Sequence, residues 1–151
     1  MTATNQEVVS TLNTLIETCK DGQNGYQNAA GCVTDPDLRA LLRSYAQQRE
    51  RYAAELQSEV LRLGGNPQKH GSIAGPARRA WTNIKSLLSG GNEHAVIVEC
   101  ERGEDAAREQ YVAALKTDLP AHVHALIERQ LAGIREAHER VRALEPANTH
   151  G

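Results

Sequence analysis

The chain has 151 residues, a net charge of −2 and an aromatic content of 3%. A chain of this length can bury a substantial core, and because phenylalanine is absent, Leu, Ile, Val and Ala must fill it. The small net charge excludes a global basic field that would attract nucleic acid. No signal sequence and no apolar run suited to membrane insertion are recognisable. We therefore expect one cytoplasmic domain over residues 1–151.

Four long stretches carry apolar residues at intervals of three and four positions, which predicts four long α-helices. These helices are expected over residues of about 5–30, 36–63, 93–117 and 121–144. Gly22 and Gly25 interrupt the first stretch, and each costs about 1 kcal/mol relative to Ala in a helix interior. They indicate either a kink or the close approach of a neighbour. We favour close approach because the apolar pattern continues at Tyr26 beyond both glycines.

A long connection, over residues of about 64–92, separates the second and third long helices. It contains a Gly-rich part and then a shorter amphipathic stretch, expected as a helix over about 76–89. About 27 residues can cover roughly 45 Å, which exceeds the roughly 38 Å length of a 25-residue helix. The connection can therefore make the flanking helices parallel, whereas the other two connections are short. We predict an all-α, ferritin-like four-helix bundle with one long crossover that contains a short extra helix.

Ionisable residues interrupt the apolar pattern near the middle of the predicted helices, at Glu17, Arg49, Glu104 and His138. Antiparallel pairing places Glu17 opposite Arg49, and the parallel alignment of the second and third helices places Arg49 near Glu104. We therefore predict that the four side chains form one polar layer in the core. A rotation of the second helix by one position would put Gln48 in place of Arg49, and the sequence leaves this alternative open.

A di-iron centre in such a bundle needs a Glu on each of two helices and a Glu-x-x-His motif on each of the other two. No Glu-x-x-His occurs in the chain, and a buried Arg49 would repel a metal and attract Glu104. The polar layer is therefore expected to be a salt-bridged structural feature without a cofactor. The alternative is an iron or manganese site with unconventional ligands, for which Glu104, His138 and Glu101 are the candidates.

The crossover carries the candidate contact surface for a partner or ligand, formed by Trp81, Arg78 and Arg79. The two arginines lie off the apolar side of the short helix, where they could hold an anion between the crossover and the bundle. The alternative interpretation is a solvated face whose Trp81 is anchored on the bundle.

The three cysteines, Cys19, Cys32 and Cys100, lack the Cys-x-x-Cys spacing of a zinc site and are odd in number. In a cytoplasmic protein, disulfides are rare because the compartment is reducing. We expect all three to be buried thiols that behave as small hydrophobic side chains.

Several short motifs occur in order along nearly the whole chain. They are Asp21-Gly-x-x-Gly-Tyr26 with Ala29-Ala30, Ala46-Gln-Gln-Arg49, Glu55-Leu with Leu63-Gly-Gly65, Gly71-Ser-x-x-Gly75 with Arg79-x-Trp81, Cys100-Glu-Arg-Gly-Glu-Asp105, and Ala137-His138. With these motifs the chain resembles a bacterial family of ferritin-like four-helix-bundle proteins of undefined function. The resemblance implies a fold similar to that of ferritins and rubrerythrins, and a stress- or envelope-associated accessory protein that forms a homo-oligomer such as a dimer.

The missing metal motifs and the charge of Arg49 together favour a non-enzymatic protein without catalytic residues. Such a protein would act by binding an unidentified protein partner or by self-association. A metal-dependent redox or storage protein is the competing hypothesis, and it assigns the central role to Glu104 and His138.

Overall fold

A computed structural model describes residues 4–72, 75–81 and 93–148. The described residues form helices and connecting segments without any β-strand, so the predicted all-α class is confirmed. The helices are α1 (Asn5–Cys32), α2 (Pro36–Arg62), α3 (Pro76–Ala80), α4 (Glu93–Leu115) and α5 (Ala121–Asn148). All four long helices begin at the predicted residues.

The helix ends follow local chemistry. The Thr4 side chain accepts a hydrogen bond of 3.2 Å from the Glu7 amide at the start of α1, and the Asp35 carboxylate accepts one of 3.2 Å from Leu38 at the start of α2. These bonds satisfy amides that have no partner within the helix. After α2, Gly64 adopts a φ of 82°, which a residue without a Cβ adopts at little cost.

The last helix is longer than predicted. The sequence pattern placed its end at about residue 144, whereas α5 continues through Pro146 to Asn148. A proline in the last turn of a helix removes only one intrahelical hydrogen bond, so it does not stop α5 at the preceding residue.

The long helices pack in two pairs, α1 with α2 and α4 with α5, and the pairs meet where α1 contacts α4 and α2 contacts α5. At one end, the Glu93 carboxylate at the start of α4 accepts hydrogen bonds from the amides of Thr34 and Asp35, just before α2. At the other end, His122 at the start of α5 lies 3.2 Å from Glu59 near the end of α2. Helices α2 and α4 therefore run in the same direction.

The first part of the crossover, up to Ser72, follows α1 from Asn13 to Asp21. The Asn13 side chain donates to the Asn66 carbonyl at 3.1 Å and accepts from the Gln68 amide at 2.8 Å. Further along, Ser72 reaches Asp21. The short helix was predicted over about residues 76–89; α3 covers its first part, and positions 82–92 lie outside the described residues.

The buried apolar side chains form two clusters, one toward each end of the molecule. The first includes Leu12, Leu56, Tyr111 and Ile127. The second includes Tyr26, Leu42, Trp81 and Ile97. On α2, Ala46 belongs to one cluster and Ala53 to the other, and Arg49 lies between them. Glu104 has the same intermediate position on α4, so buried polar groups separate the two apolar clusters.

Candidate functional site

Arg49 and Glu104 form a fully buried ion pair between α2 and α4. Their side chains are 1% and 0% exposed, and Nη2 of Arg49 lies 2.5 Å from Oε1 and 2.6 Å from Oε2 of Glu104. Gln48 is half-buried and accepts a hydrogen bond of 3.2 Å from Nε of Arg49. The structure thus places Arg49, and not Gln48, in the interior.

Helix α1 provides the space that the long Arg49 side chain occupies. A Cβ added at Gly22 would lie 3.3 Å from Nη1 of Arg49. One turn later, the Tyr26 ring centroid lies 5.6 Å from the guanidinium carbon, within the range of a cation–π interaction. Helix α1 continues past both glycines, and the predicted close approach of a neighbour is confirmed by Arg49 at Gly22 and by Trp81 at Gly25.

The charge of Arg49 persists despite its burial. Burial is the largest influence and disfavours the charged form, but the charge and hydrogen bond of Glu104, together with the nearby Tyr26 and Cys19, raise the pKa of the guanidinium overall. Burial also raises the pKa of the Tyr26 hydroxyl, which therefore stays neutral. Nη1 of Arg49 is buried and has no hydrogen-bond partner among the described residues, whereas Oε1 of Glu104 contacts Nη2 of the same guanidinium.

Glu17 does not join this ion pair. It is half-buried on the flank of α1, where burial and the nearby Asp21 raise its pKa. The placement of Glu17 beside Arg49 was therefore wrong, and the reason lies in side-chain direction. A long helical side chain points toward the N-terminus of its own helix. The side chain of Arg49 accordingly reaches Gly22 and Tyr26, which lie further along the antiparallel α1.

His138 is buried and pairs with a carboxylate that the sequence analysis did not name as a site residue. Its Nε2 lies 2.9 Å from Oδ1 of Asp105, next in sequence to Glu104. Glu101, the third candidate metal ligand, is half-buried on the same helix. Over the described parts of the chain, no three His, Cys, Asp or Glu side chains form a group that could hold a metal ion. The structure does not assemble Glu104, His138 and Glu101 into such a group.

Trp81 is not part of an exposed contact surface, which corrects its predicted role. It is 6% exposed and lies against Tyr26, with the ring centroids 5.0 Å apart. Its indole ring occupies a slot between α1 and α4, since a Cβ added at Gly25 or Gly103 would lie 2.2 Å from ring atoms. The two arginines of α3, Arg78 and Arg79, are exposed as predicted.

Asp21 attaches the crossover to α1. Its side chain is 4% exposed, and Oδ2 accepts hydrogen bonds from the hydroxyl of Ser72 at 2.6 Å and from its amide at 3.4 Å. The Ser72 hydroxyl in turn accepts a bond of 3.2 Å from the Gly75 amide, just before α3. Burial raises the pKa of the Asp21 carboxyl above its ordinary value of 3.8, although the bonds from Ser72 act in the opposite direction.

This pKa shift predicts how Asp21 affects stability as pH changes. A carboxyl group whose pKa is raised in the folded state contributes stability below its unfolded pKa and loses that contribution as pH rises through its folded pKa. The variant Asp21→Asn keeps a hydrogen-bond acceptor but cannot ionise. We expect the free energy of unfolding of the wild type, relative to this variant, to fall as pH rises from below the ordinary pKa of 3.8 to above the raised pKa of the folded state. Urea titrations across this range measure it, and a difference that grows with pH would contradict the shift.

Cys19, Tyr111 and Gln130 form a second set of buried polar contacts, which the sequence analysis did not predict. The sulfur of Cys19 lies 3.0 Å from the Tyr111 hydroxyl, which donates a hydrogen bond of 2.7 Å to Oε1 of Gln130 on α5. Burial raises the pKa of the Cys19 thiol to about 11. Cys32 and Cys100 are also buried thiols, so the interpretation of the three cysteines as buried thiols is confirmed.

The sequence analysis did not predict the contacts of the Asp21-Gly-x-x-Gly-Tyr26 motif, although the motif itself is recognisable in the sequence. Every named position of this motif makes a contact: Asp21 holds the crossover, Gly22 makes room for Arg49, Gly25 makes room for Trp81, and Tyr26 packs on both Arg49 and Trp81. Glycines inside a continuous helix indicate such close contacts. The sequence did not show which residues from distant segments would make them.

The geometry thus defines an all-helical protein whose core contains an arginine–glutamate pair. The chain belongs to the family described as domain of unknown function DUF2383, which matches residues 7–117. The match spans α1, α2, the crossover and α4, and the expectation of a family without an assigned function is confirmed. No curated protein matches the chain. None of the described helices combines the length and the apolar character that a membrane span requires.

Proposed function

We propose that this protein is a non-enzymatic, ferritin-like four-helix-bundle protein that acts as an accessory protein by binding a protein partner or a second copy of itself. The parallel direction of α2 and α4, with a long crossover between them, supports the ferritin-like assignment. The observation that carries the non-enzymatic part is the complete burial of Arg49 against Glu104 between the two apolar clusters.

The side chains at this position do not fit a metal centre. Both oxygens of Glu104 lie within 2.6 Å of Nη2 of Arg49, so the carboxylate is already neutralised. A guanidinium cannot lose its proton in a protein, and its charge would repel a divalent cation. His138, the nearest candidate imidazole, is paired with Asp105. In this proposal the ion pair occupies the position of the metal centre in ferritin-like di-iron bundles. It fixes the position of α2 relative to α4.

Metal content tests the proposal directly. The protein is produced in medium supplemented with iron, manganese or zinc, purified without an affinity tag or chelator, and subjected to elemental analysis. We expect metal well below one equivalent per chain in each case, because Arg49 already supplies the charge that Glu104 needs.

Near-stoichiometric iron or manganese would overturn the proposal in favour of a metal-dependent redox or storage protein. The matched control is then a double variant, Glu104→Ala with His138→Ala. Loss of the metal in this variant would assign the site to the two residues, whereas retained metal would place it elsewhere in the chain.

A further inference from the structure

A polar groove lies between α1 and the crossover. Its volume is about 430 Å³, and it adjoins a second depression of about 540 Å³ with which it shares Asn24 and Arg78. Volumes of this size suit a small-molecule ligand. The residues that define this α1–crossover groove are Lys20, Gln23, Asn24, Lys69, His70 and Arg78.

The groove concentrates basic side chains in a protein whose overall net charge is −2. Lys20 comes from α1, Lys69 and His70 from the crossover, and Arg78 from α3. An ordinary solvated face would draw its charges from one side of one helix, whereas here three segments bring them to the same depression. Nη1 of Arg78 donates to the Ser72 carbonyl at 3.3 Å, which holds the arginine at the rim.

Of the acidic groups nearby, Asp21 interacts electrostatically with Arg78, and the lysines Lys20 and Lys69 complete the positive charge of the groove. Asp21 is 4% exposed and its carboxylate accepts hydrogen bonds from Ser72 beneath the groove. Glu17 lies one turn earlier on α1 and is half-buried beside Asp21. The exposed groups that line the groove are therefore predominantly cationic or amide-bearing, which favours an anionic ligand.

An unpaired amide oxygen gives the groove a second recognition element. Oε1 of Gln23 is buried and has no hydrogen-bond partner among the described residues. A buried polar atom without a partner is unfavourable, and native proteins rarely leave one unsatisfied. A ligand hydroxyl could donate to this oxygen, while the neighbouring Asn24 amide provides both donors and an acceptor.

We propose that the α1–crossover groove binds a phosphate monoester of glycerol. The other two glycerol oxygens are either free hydroxyl groups or ester-linked to acyl chains. Lys20, Lys69 and Arg78 hold the phosphate oxygens, and Gln23 and Asn24 contact the adjoining oxygen-bearing carbon chain. The inference is independent of the proposed absence of a metal centre, because no residue of the groove belongs to the Arg49–Glu104 pair.

Two probes with the same phosphate chemistry distinguish a soluble ligand from a lipid headgroup. The soluble probe is glycerol 3-phosphate, measured by calorimetry and by the fluorescence of Trp81, the single tryptophan of the chain, which lines the adjoining depression. The lipid probe is a vesicle of phosphatidylcholine with added phosphatidic acid, measured by co-sedimentation. Glycerol and pure phosphatidylcholine vesicles serve as the uncharged comparisons.

Charge-removing variants show whether binding occurs in the groove. The test variant combines Lys20→Gln with Lys69→Gln. The control combines Lys116→Gln with Arg135→Gln, which removes the same charge from a different depression on α4 and α5. We expect the test variant to weaken binding of whichever probe is bound by about tenfold or more, and the control to change it less than about twofold. Circular dichroism confirms that both variants keep their helices.

Three outcomes would overturn the proposal. Neither probe binds at millimolar phosphate monoester, the two variants weaken binding equally, or glycerol binds as well as glycerol 3-phosphate. Binding of the soluble probe alone assigns a small phosphorylated metabolite, and binding of the vesicle alone assigns a lipid headgroup.

Discussion

The variant Glu104→Leu is expected to lower the free energy of unfolding by about 3–5 kcal/mol. The reason is that Arg49, at 1% exposed, would be left as a buried charge without a counterion. A guanidinium cannot escape this penalty by losing its proton, and Nη1 of Arg49 already lacks a hydrogen-bond partner among the described residues. Chemical denaturation at neutral pH measures the loss.

Replacing both partners should restore most of this stability. The double variant Arg49→Met with Glu104→Leu fills the same space with apolar side chains, and such replacements of buried ion pairs are often neutral or stabilising. The single variant Arg49→Met should cost less than Glu104→Leu, since a carboxyl group can be neutralised by taking up a proton. A double-mutant cycle therefore gives a large coupling energy between the two residues.

The matched control is the exposed ion pair between Arg129 and Glu55. Its atoms are 2.7 Å apart, but the side chains are 58% and 38% exposed. We expect Arg129→Met to change stability by less than about 1 kcal/mol, as is usual for surface pairs. A loss from Glu104→Leu as small as this, or a double variant no more stable than Glu104→Leu, would contradict the assignment of a buried, mutually dependent pair.

The variants Gly25→Ala and Gly103→Ala are each expected to destabilise the protein by about 3 kcal/mol or more. The added methyl group would lie 2.2 Å from ring atoms of Trp81, so the indole must leave its slot or the helices must separate. This loss opposes the gain of about 1 kcal/mol that Ala brings over Gly in a helix. Denaturant titrations give the stability, and a red shift of the Trp81 emission reports displacement of the ring.

Removing the indole should reverse the sign of the glycine effect. Trp81→Ala alone is expected to cost about 3–5 kcal/mol. In that background Gly25→Ala no longer clashes and should stabilise by up to about 1 kcal/mol. Gly31→Ala is the control in the wild type, because a Cβ at Gly31 meets nothing within 4 Å. If the losses of stability from Gly25→Ala and Trp81→Ala were additive, a clash with the indole ring would not be the reason why position 25 requires glycine.

The sequence predicted the architecture because the determining signals are local and repeated. The three- and four-residue spacing of apolar side chains, with capping residues such as Asp35, determined where each long helix starts. The direction of α4 followed from the length of the crossover alone. The predicted end of α5 was too early because the effect of Pro146 depends on how many helical residues follow it. The helix propensities of the neighbouring residues do not determine this number.

The site could be predicted only in part. Arg49 and Glu104 stand out because each replaces an apolar residue in a regular pattern, and a buried charge needs an opposite one. The contacts of Arg49 with Gly22 and Tyr26 depend on the direction of its long side chain, which a comparison of residue numbers does not take into account. The burial of Trp81 depends on two glycines far apart in sequence.

The α1–crossover groove was predictable only in outline. Arg78 was recognised as a candidate for holding an anion, but Lys20 and Lys69 were not, because surface lysines follow no periodic pattern. Three segments with different local structure bring these cations together. Only the path of the crossover along α1, held by Asn13 and Asp21, places them in one depression.

The central position of α1 has a consequence for synthesis on the ribosome. This helix is synthesised before the segments that pack against it, which are α2, the crossover, α3 and α4. Arg49, which fills the space beside Gly22, finds its carboxylate only when Glu104 has been translated. The nascent chain therefore exposes an apolar and partly charged face until α4 with Glu104 has been made. Exposed surface of this kind is what chaperones bind.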